Sequence, residues 1–317
     1  MKKLIYLLLV MIIVCVSGCN LSKNTEQRNA TENYQVTDDL GTVLHFEKAP
    51  QRIITSNLSY QDILCELITV DRFAAVSANS LDEDYSFTAD KVKNVPNKYY
   101  QPINAEAILK YKPDVYITSD ETPVVVNNTL EDMGVKVFVI KASHSYQDIQ
   151  HSIVKLAELV NEQEKGQAML RKMDARRNAL KEKIQTTRKS SDKIVVELTY
   201  NGTYGMRQDI FGVLCELSMC KNGMQIMPAP SSTVVSKERL VDLNPDVLLL
   251  PKWSFLGKHN SDTYLQQIIA DPAYKDMQCI KNRTVYKFPE KYRYCASQYV
   301  VESAENLARI VYPECYQ

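Results

Sequence analysis

The sequence predicts an α/β protein made of two similar lobes, and two internal echoes carry that prediction. The stretch INAEAILKYKPDVYI, residues 103–117, recurs as VSKERLVDLNPDVLL, residues 235–249. Glu106 matches Glu238, Pro113 matches Pro245, Asp114 matches Asp246 and Val115 matches Val247, all at one offset of 132 residues. Upstream of each copy, Leu64-Cys65-Glu66-Leu67 recurs as Leu214-Cys215-Glu216-Leu217. A single Pro-Asp-Val after a helix is common in α/β chains. Two copies in the same order, each downstream of a strand and an LCEL segment, indicate a repeated supersecondary unit.

Each copy reads as helix, turn and strand. Asn104 or Ser236 supplies an N-cap, and Glu106 or Glu238 follows two residues later, where a carboxylate complements the positive end of a helix. Ile108, Leu109 and Tyr111, like Leu240, Val241 and Leu243, give one apolar face. Proline then ends the helix, because the residue before it is pushed out of the α region. An apolar run follows, typical of a parallel strand buried on both faces.

The N-terminus carries a targeting segment. Lys2 and Lys3 precede an apolar run, Leu4 to Val16, too short to span a bilayer comfortably. Val16-Ser17-Gly18-Cys19 resembles a bacterial lipobox, which implies cleavage before Cys19 and lipidation of that cysteine. Residues 20–34 are polar and read as a flexible tether.

The remaining elements follow in order. Residues 36–44, with Gly41 at the turn, signal a hairpin. Arg52 to Thr55 begins the first central strand, and a loop at Ser56 to Tyr60 leads into the helix that carries the first LCEL. Ala74 to Val76 reads as a short strand, Asn94 to Pro102 as a loop holding Tyr99 and Tyr100, and Val135 to Ile140 as a strand with His144 in the loop beyond it. Tyr146 to about Arg188 is helical with a break near Asn161. Met169, Met173, Leu180 and Ile184 form a thin apolar stripe on its second part, which suits a stiff linker between lobes better than a dimerisation helix. Lys193 opens the second lobe. Its strand Ile194 to Leu198 ends in the loop Tyr200 to Arg207, Trp253 follows the strand after the second repeat, and Tyr292, Arg293 and Tyr294 lie in a loop after a strand at Thr284 to Tyr286. Val300 to Val311 closes the chain as a helix.

Composition narrows the function. The chain has 38 basic and 38 acidic residues, and loss of Lys2 and Lys3 leaves a mature charge of about −2, with no basic surplus to hold nucleic acid. No G-x-S-x-G, H-E-x-x-H, P-loop or G-x-G-x-x-G is present, so the chain is not read as an enzyme. Six cysteines follow Cys19. Their even number permits disulfides in an exported protein, but spacing cannot choose a pairing. Cys65 and Cys215 occupy equivalent helix positions, which favours buried free thiols. His45, His144, His151 and His259 are scattered, with no convergent set for a bare zinc or manganese ion.

The lipobox, the hairpin followed by APQRII, INAEAILKYKPDVYIT, the long linking helix, VSKERLVDLNPDVLLL and RTVYKF together resemble the substrate-binding lipoproteins of bacterial ABC importers for ferric siderophores, haem and vitamin B12. The resemblance covers nearly the whole mature chain. It implies two Rossmann-like lobes joined by a single long helix, a ligand cleft between them and little hinge motion. The corresponding division is a signal peptide at 1–18, a tether at 19–34, an N-terminal lobe at 35–160, a linking helix at 161–190 and a C-terminal lobe at 191–317. In that family the glutamate of each helix-Pro-Asp motif docks to permease arginines; by motif position these are Glu106 and Glu238. The chain departs from the family in having few glycines in its lobe loops and more cysteines, which leaves the ligand open.

Ligands of open α/β sheets bind beyond the carboxyl ends of the strands. Those ends carry Asn57, Tyr60, Tyr99, Tyr100, His144, Tyr204, Arg207, Trp253 and Arg293 as ligand-binding candidates, with Asp120, Tyr200, Tyr292 and Tyr294 nearby. Aromatic faces and arginines suit a large, flat or anionic metal chelate. His144 is the histidine on a cleft loop, and haem asks for an axial His or Tyr. The expectation is therefore a monomeric, lipid-anchored, extracytoplasmic binding protein without a resident cofactor. It carries an iron chelate, a siderophore or haem, to an ABC permease. Cobalamin is the alternative ligand, and a surface haem scavenger or sensor uncoupled from any permease is the alternative class.

Overall fold

The computed structural model describes residues 33–100, 104–200, 209–227, 235–254 and 257–317. The opening hairpin pairs β1 (Tyr34–Thr37) with β2 (Val43–Phe46). Gly41 sits at φ +88°, a conformation that costs glycine little, and the Asp38 carboxylate accepts the Leu40 and Thr42 amides at 3.0 and 2.8 Å.

The N-terminal lobe continues with β3 (Ile53–Thr55), α1 (Leu58–Leu67), β4 (Val76–Ser77), β5 (Lys98–Tyr99), α2 (Ala105–Leu109), β6 (Val115–Ser119), α3 (Val124–Asp132) and β7 (Lys136–Ile140). Strands β3, β6 and β7 form a parallel sheet in that order. Strands β4 and β5 form a separate parallel pair, and the segment before β4 meets β3 in an isolated bridge between Ile53 and Phe73. The hairpin is tied to this sheet where the Asp39 amide donates to the Val139 carbonyl, 2.9 Å.

Two helices lead out of the lobe, α4 (Tyr146–Leu159) and the 25-residue α5 (Gln163–Thr187). The break between them falls at Asn161, which is left-handed at φ 59°. Met169, Met173, Leu180 and Ile184 are the buried apolar residues of α5. Gly166 lets α5 approach α4 closely, since a Cβ there would sit 2.6 Å from the Ala157 methyl.

The C-terminal lobe comprises β8 (Ile194–Glu197), α6 (Ile210–Leu217), β9 (Lys221–Asn222), α7 (Lys237–Leu243), β10 (Val247–Pro251), α8 (Ser261–Ala270), β11 (Val285–Phe288), α9 (Glu290–Arg293) and α10 (Val300–Val311). Its four strands are parallel in the order β11-β10-β8-β9. The paired Pro-Asp turns do the same work in both lobes. Asp114 accepts the Gln51 and Arg52 amides that enter β3, at 2.6 and 3.1 Å, and Asp246 accepts the Ile194 amide that enters β8, at 2.9 Å. Each aspartate thus fixes the register of its strand against its neighbour.

One apolar core joins the two lobes: Ile63 and Leu64 of α1, Leu156 of α4, Met173 of α5, Leu214 of α6 and Leu307 of α10 belong to the same buried cluster. Hydrogen bonds cross between the lobes as well. Gln298 donates to the Asp62 carbonyl at 2.7 Å, the Tyr299 hydroxyl donates to Glu66 at 2.6 Å, and the Ala296 amide donates to the Ser59 hydroxyl at 3.2 Å. Buried apolar contact of this extent opposes a large opening of one lobe against the other.

Candidate functional site

The carboxyl ends of the strands in the two lobes meet across a shared surface. At the end of β3, Asn57 caps α1 by accepting the Tyr60 amide at 3.0 Å. At the ends of β6 and β7, Asp120 accepts the Ala142 amide at 2.8 Å. Facing them, Trp253 follows β10, and its amide donates to Glu290 at 2.7 Å. The lobes touch here directly. Lys252 pairs with Asp84 at 2.7 Å, the Lys291 amide donates to the Asp84 carbonyl at 3.0 Å, and the Tyr85 and Trp253 rings lie 4.4 Å apart.

Also between the lobes lies a cavity of about 430 Å³ in which His144 of the N-terminal lobe faces α6 and β9. Asp209, Gly212, Glu216, Asn222 and Gln225 line its other side. His144 is half exposed, with Nε2 3.8 Å from Glu121. Asp209 caps α6 by accepting the Gly212 amide at 2.9 Å; burial raises its carboxyl above the ordinary range, while that hydrogen bond and His144 draw it back down. A larger cavity of about 650 Å³, lined by Tyr34, His45, Lys48, Pro50, Asp114 and Lys136, is at the opposite, amino-terminal edge of the sheet. Its position, away from the strand ends that form ligand crevices, sets it aside.

Several sequence candidates sit elsewhere than expected. The sequence places Arg293 in a loop, where it would be free to meet an anion. Instead it ends the short helix α9, and its side chain is 0 % exposed. It is 3.1 Å from Glu197 and 3.7 Å from Glu290, and it donates to the Leu198 carbonyl at 3.0 Å. Its charge is already matched, so it braces the ends of β8 and β11 from below. Burial pushes the Glu290 carboxyl up to about 7, with the Trp253 amide and Arg293 opposing the rise. Tyr99 and Tyr60 are likewise buried: Tyr99 lies in β5 rather than in a loop. Its hydroxyl donates to the Thr55 carbonyl, and Tyr60 reaches the Ile140 carbonyl at 3.5 Å. Burial raises both phenols far above their ordinary value. These two tyrosines support the strand ends.

Tyr100, by contrast, is exposed. Tyr200 stacks on His259 at 4.5 Å and packs against Tyr264. Tyr204, Arg207 and Cys19 lie outside the described residues. Trp253, His144 and Asn57 thus remain at the interlobe surface. The sequence reading missed Asp84, Tyr85 and Asp209, none of which carries a local motif. Among the described residues no three His, Cys, Asp or Glu side chains converge as a metal site.

Glu106 and Glu238 occupy the first turns of α2 and α7. Both are exposed. Asn104 and Ser236 are the caps, accepting the Ala107 amide at 2.8 Å and the Arg239 amide at 3.4 Å. Hydrogen bonds from its own backbone and from Ser236 hold the Glu238 carboxyl below its ordinary value.

Comparison with known proteins identifies the family. The family described as Periplasmic binding protein matches residues 53–292. The chain belongs to that family, whose members are extracytoplasmic binding proteins rather than enzymes. It is similar to the "Iron-uptake system-binding protein" of Bacillus subtilis, 23 % identical over 188 residues, which is 58 % of this chain and 57 % of that protein. The "Molybdate-binding protein MolA" of Haemophilus influenzae is 22 % identical over 89 % of this chain and 86 % of its own. The periplasmic heme-binding protein RhuT of Roseiflexus sp. RS-1, in apo form, superposes with a TM-score of 0.72 at 17 % identity, covering 84 % of this chain and 99 % of that one. At such identities the structural likeness establishes the fold alone.

Proposed function

We propose that the protein is the lipid-anchored, extracytoplasmic substrate-binding component of an ABC importer, and that it holds an iron chelate, a ferric siderophore or haem, between its lobes. The observation that carries this reading is the interlobe surface: His144 faces α6 and β9 across a cavity of about 430 Å³, and the Tyr85 and Trp253 rings pack where the lobes touch. Pockets of that order hold small organic ligands, and aromatic faces suit flat ones. The names of the Bacillus and Roseiflexus relatives, iron uptake and heme binding, support the same class. A bare oxyanion such as the Haemophilus protein's molybdate fits less well. Asp209 and Glu216 line the cavity against Lys221, whereas Lys252 and Arg293 are already paired with carboxylates outside it. Tyr204 and Arg207 belong to the same proposed site.

In this reading Glu106 and Glu238 meet arginines of the permease, and Cys19 carries the lipid. Cys19→Ser should release the protein from membranes or block its processing; a variant that is processed and fractionates like wild type removes the anchor. The ligand is tested by recording the visible spectrum of the purified chain after exposure to haemin, a ferric siderophore or cobalamin. A Soret band identifies haem, a broad charge-transfer band a ferric siderophore, and corrin bands the alternative ligand. Retention of none of them refutes the assignment.

A further inference from the structure

Six cysteines are described, and four of them, Cys65, Cys279, Cys295 and Cys315, are buried singly in the core. Cys215 and Cys220 differ. Cys215 lies in the last turn of α6, and Cys220 immediately precedes β9. Between them the chain reverses through Met219, which is left-handed at φ 56°. The Cys220 amide then donates to the Cys215 carbonyl at 2.9 Å. That bond keeps the two residues within the roughly 4.4–6.8 Å Cα separation that a disulfide spans. Both cysteines line the cavity that His144 faces, and Cys220 is partly open to it, whereas Cys215 is 1 % exposed.

We propose that Cys215 and Cys220 form a redox-active dithiol on the wall of the interlobe cavity, one that closes to a disulfide by exchange with a small disulfide reaching Cys220 from solvent. After burial, the neighbouring Cys220 side chain is the next influence that raises the Cys215 thiol. Burial holds the Cys215 thiol well above its ordinary value, which leaves the attack to Cys220. The Cys220 thiol loses its proton, its sulfur attacks one sulfur of the incoming disulfide, and one thiolate leaves. Cys215 then loses its proton and attacks the Cys220 sulfur, and the second thiolate leaves. Each departing thiolate takes up one proton. The protein dithiol is oxidised and the small disulfide is reduced to two thiols. A metal centre is the other use of paired thiols, but no third ligand group converges on these two among the described residues.

The closed loop is short, so the bond adds little to global stability, because a disulfide stabilises less as the loop it closes shrinks. Its effect is local: it fastens the end of α6 to the edge strand β9, and both form one wall of the cavity. An extracytoplasmic location favours the oxidised form.

The test is peptide mapping by mass spectrometry after the purified full-length protein is equilibrated with oxidised glutathione. Wild type should yield a peptide cross-linked between residues 215 and 220. Cys215→Ser should stop at a glutathione adduct on Cys220, and Cys220→Ser should leave Cys215 unmodified. The proposal is overturned if wild type keeps both thiols, if it accumulates a stable Cys220 adduct without closing, or if either cysteine joins a different partner. The wild-type map decides the matter even if a serine variant fails to fold. It measures no ligand, so its outcome is separate from the import reading.

Discussion

Replacing Arg293 by Met tests whether this residue braces the cleft or binds the ligand. The guanidinium is buried, within salt-bridge distance of Glu197 and Glu290 and hydrogen-bonded to the Leu198 carbonyl. Removing one partner of a buried ion pair typically costs about 3–5 kcal/mol, because a carboxylate is left uncompensated in a poorly polarisable interior. Here the cost depends on pH. Glu290 already has its carboxyl raised from 4.5 to about 7. A raised carboxyl means that the folded state binds the proton more tightly than the unfolded one. That stability is fully present below the unfolded value and disappears as pH rises through about 7. Loss of the arginine raises the carboxyl further and steepens the decline. Urea unfolding of Arg293→Met should therefore show a loss of about 3–5 kcal/mol at about pH 8 and a distinctly smaller one at about pH 5. Arg293→Lys keeps the charge but not the planar fork and should fall between. A loss below about 1 kcal/mol at the higher pH, the size of a surface pair, would refute the buried triad. A variant of normal stability that no longer binds the chelate would return Arg293 to the ligand.

Three further outcomes follow from the same structure. Asp62 is buried, accepts the Thr88 hydroxyl at 2.8 Å and has its carboxyl raised from 3.8 to about 7 by burial, so wild-type stability should fall as pH rises through that window. Asp62→Asn should flatten the thermal-midpoint profile and melt higher than wild type above neutrality; a lower midpoint there would contradict the argument. Gly166→Ala should lose roughly 1–3 kcal/mol by overpacking, since the new methyl would meet Ala157 at 2.6 Å, and unchanged urea unfolding would show that α4 and α5 part without cost. Glu106→Ala combined with Glu238→Ala should leave ligand binding intact while uptake through the reconstituted importer collapses, and charge reversal to Lys should be worse. Wild-type uptake by the double variant removes the docking role.

The two-lobe plan was legible because its signals are local and repeated. Pro113-Asp114 and Pro245-Asp246 end helices and start strands by rules that act within a few residues. The structure adds that each aspartate also binds the amides entering the adjacent strand. The LCEL echo was legible for the same reason, since Leu64 and Leu214 fill equivalent places in one core. The cleft was less legible. Asp84 and Lys252 meet across 168 residues of sequence, and no short-range pattern signals such a pair. The loop expected around Arg293 is a single helical turn, too short to form unaided, and it is held by the contacts of Glu290 with the Trp253 amide and Arg293. Tyr60 and Tyr99 misled for a physical reason. A tyrosine at a strand end can face ligand or send its hydroxyl to a buried carbonyl, and the residue type is the same in both cases.

Trp253 is the one tryptophan of the chain, and its ring packs on Tyr85 where the lobes meet. Its fluorescence therefore reports the proposed site without added label. Titration with haemin or a ferric siderophore should quench this emission in a saturable, one-to-one manner, because a metal chelate seated between the lobes lies close to the indole. Saturable binding that leaves Trp253 emission unchanged would put the ligand elsewhere, and the absence of saturable binding by either chelate would contradict the account.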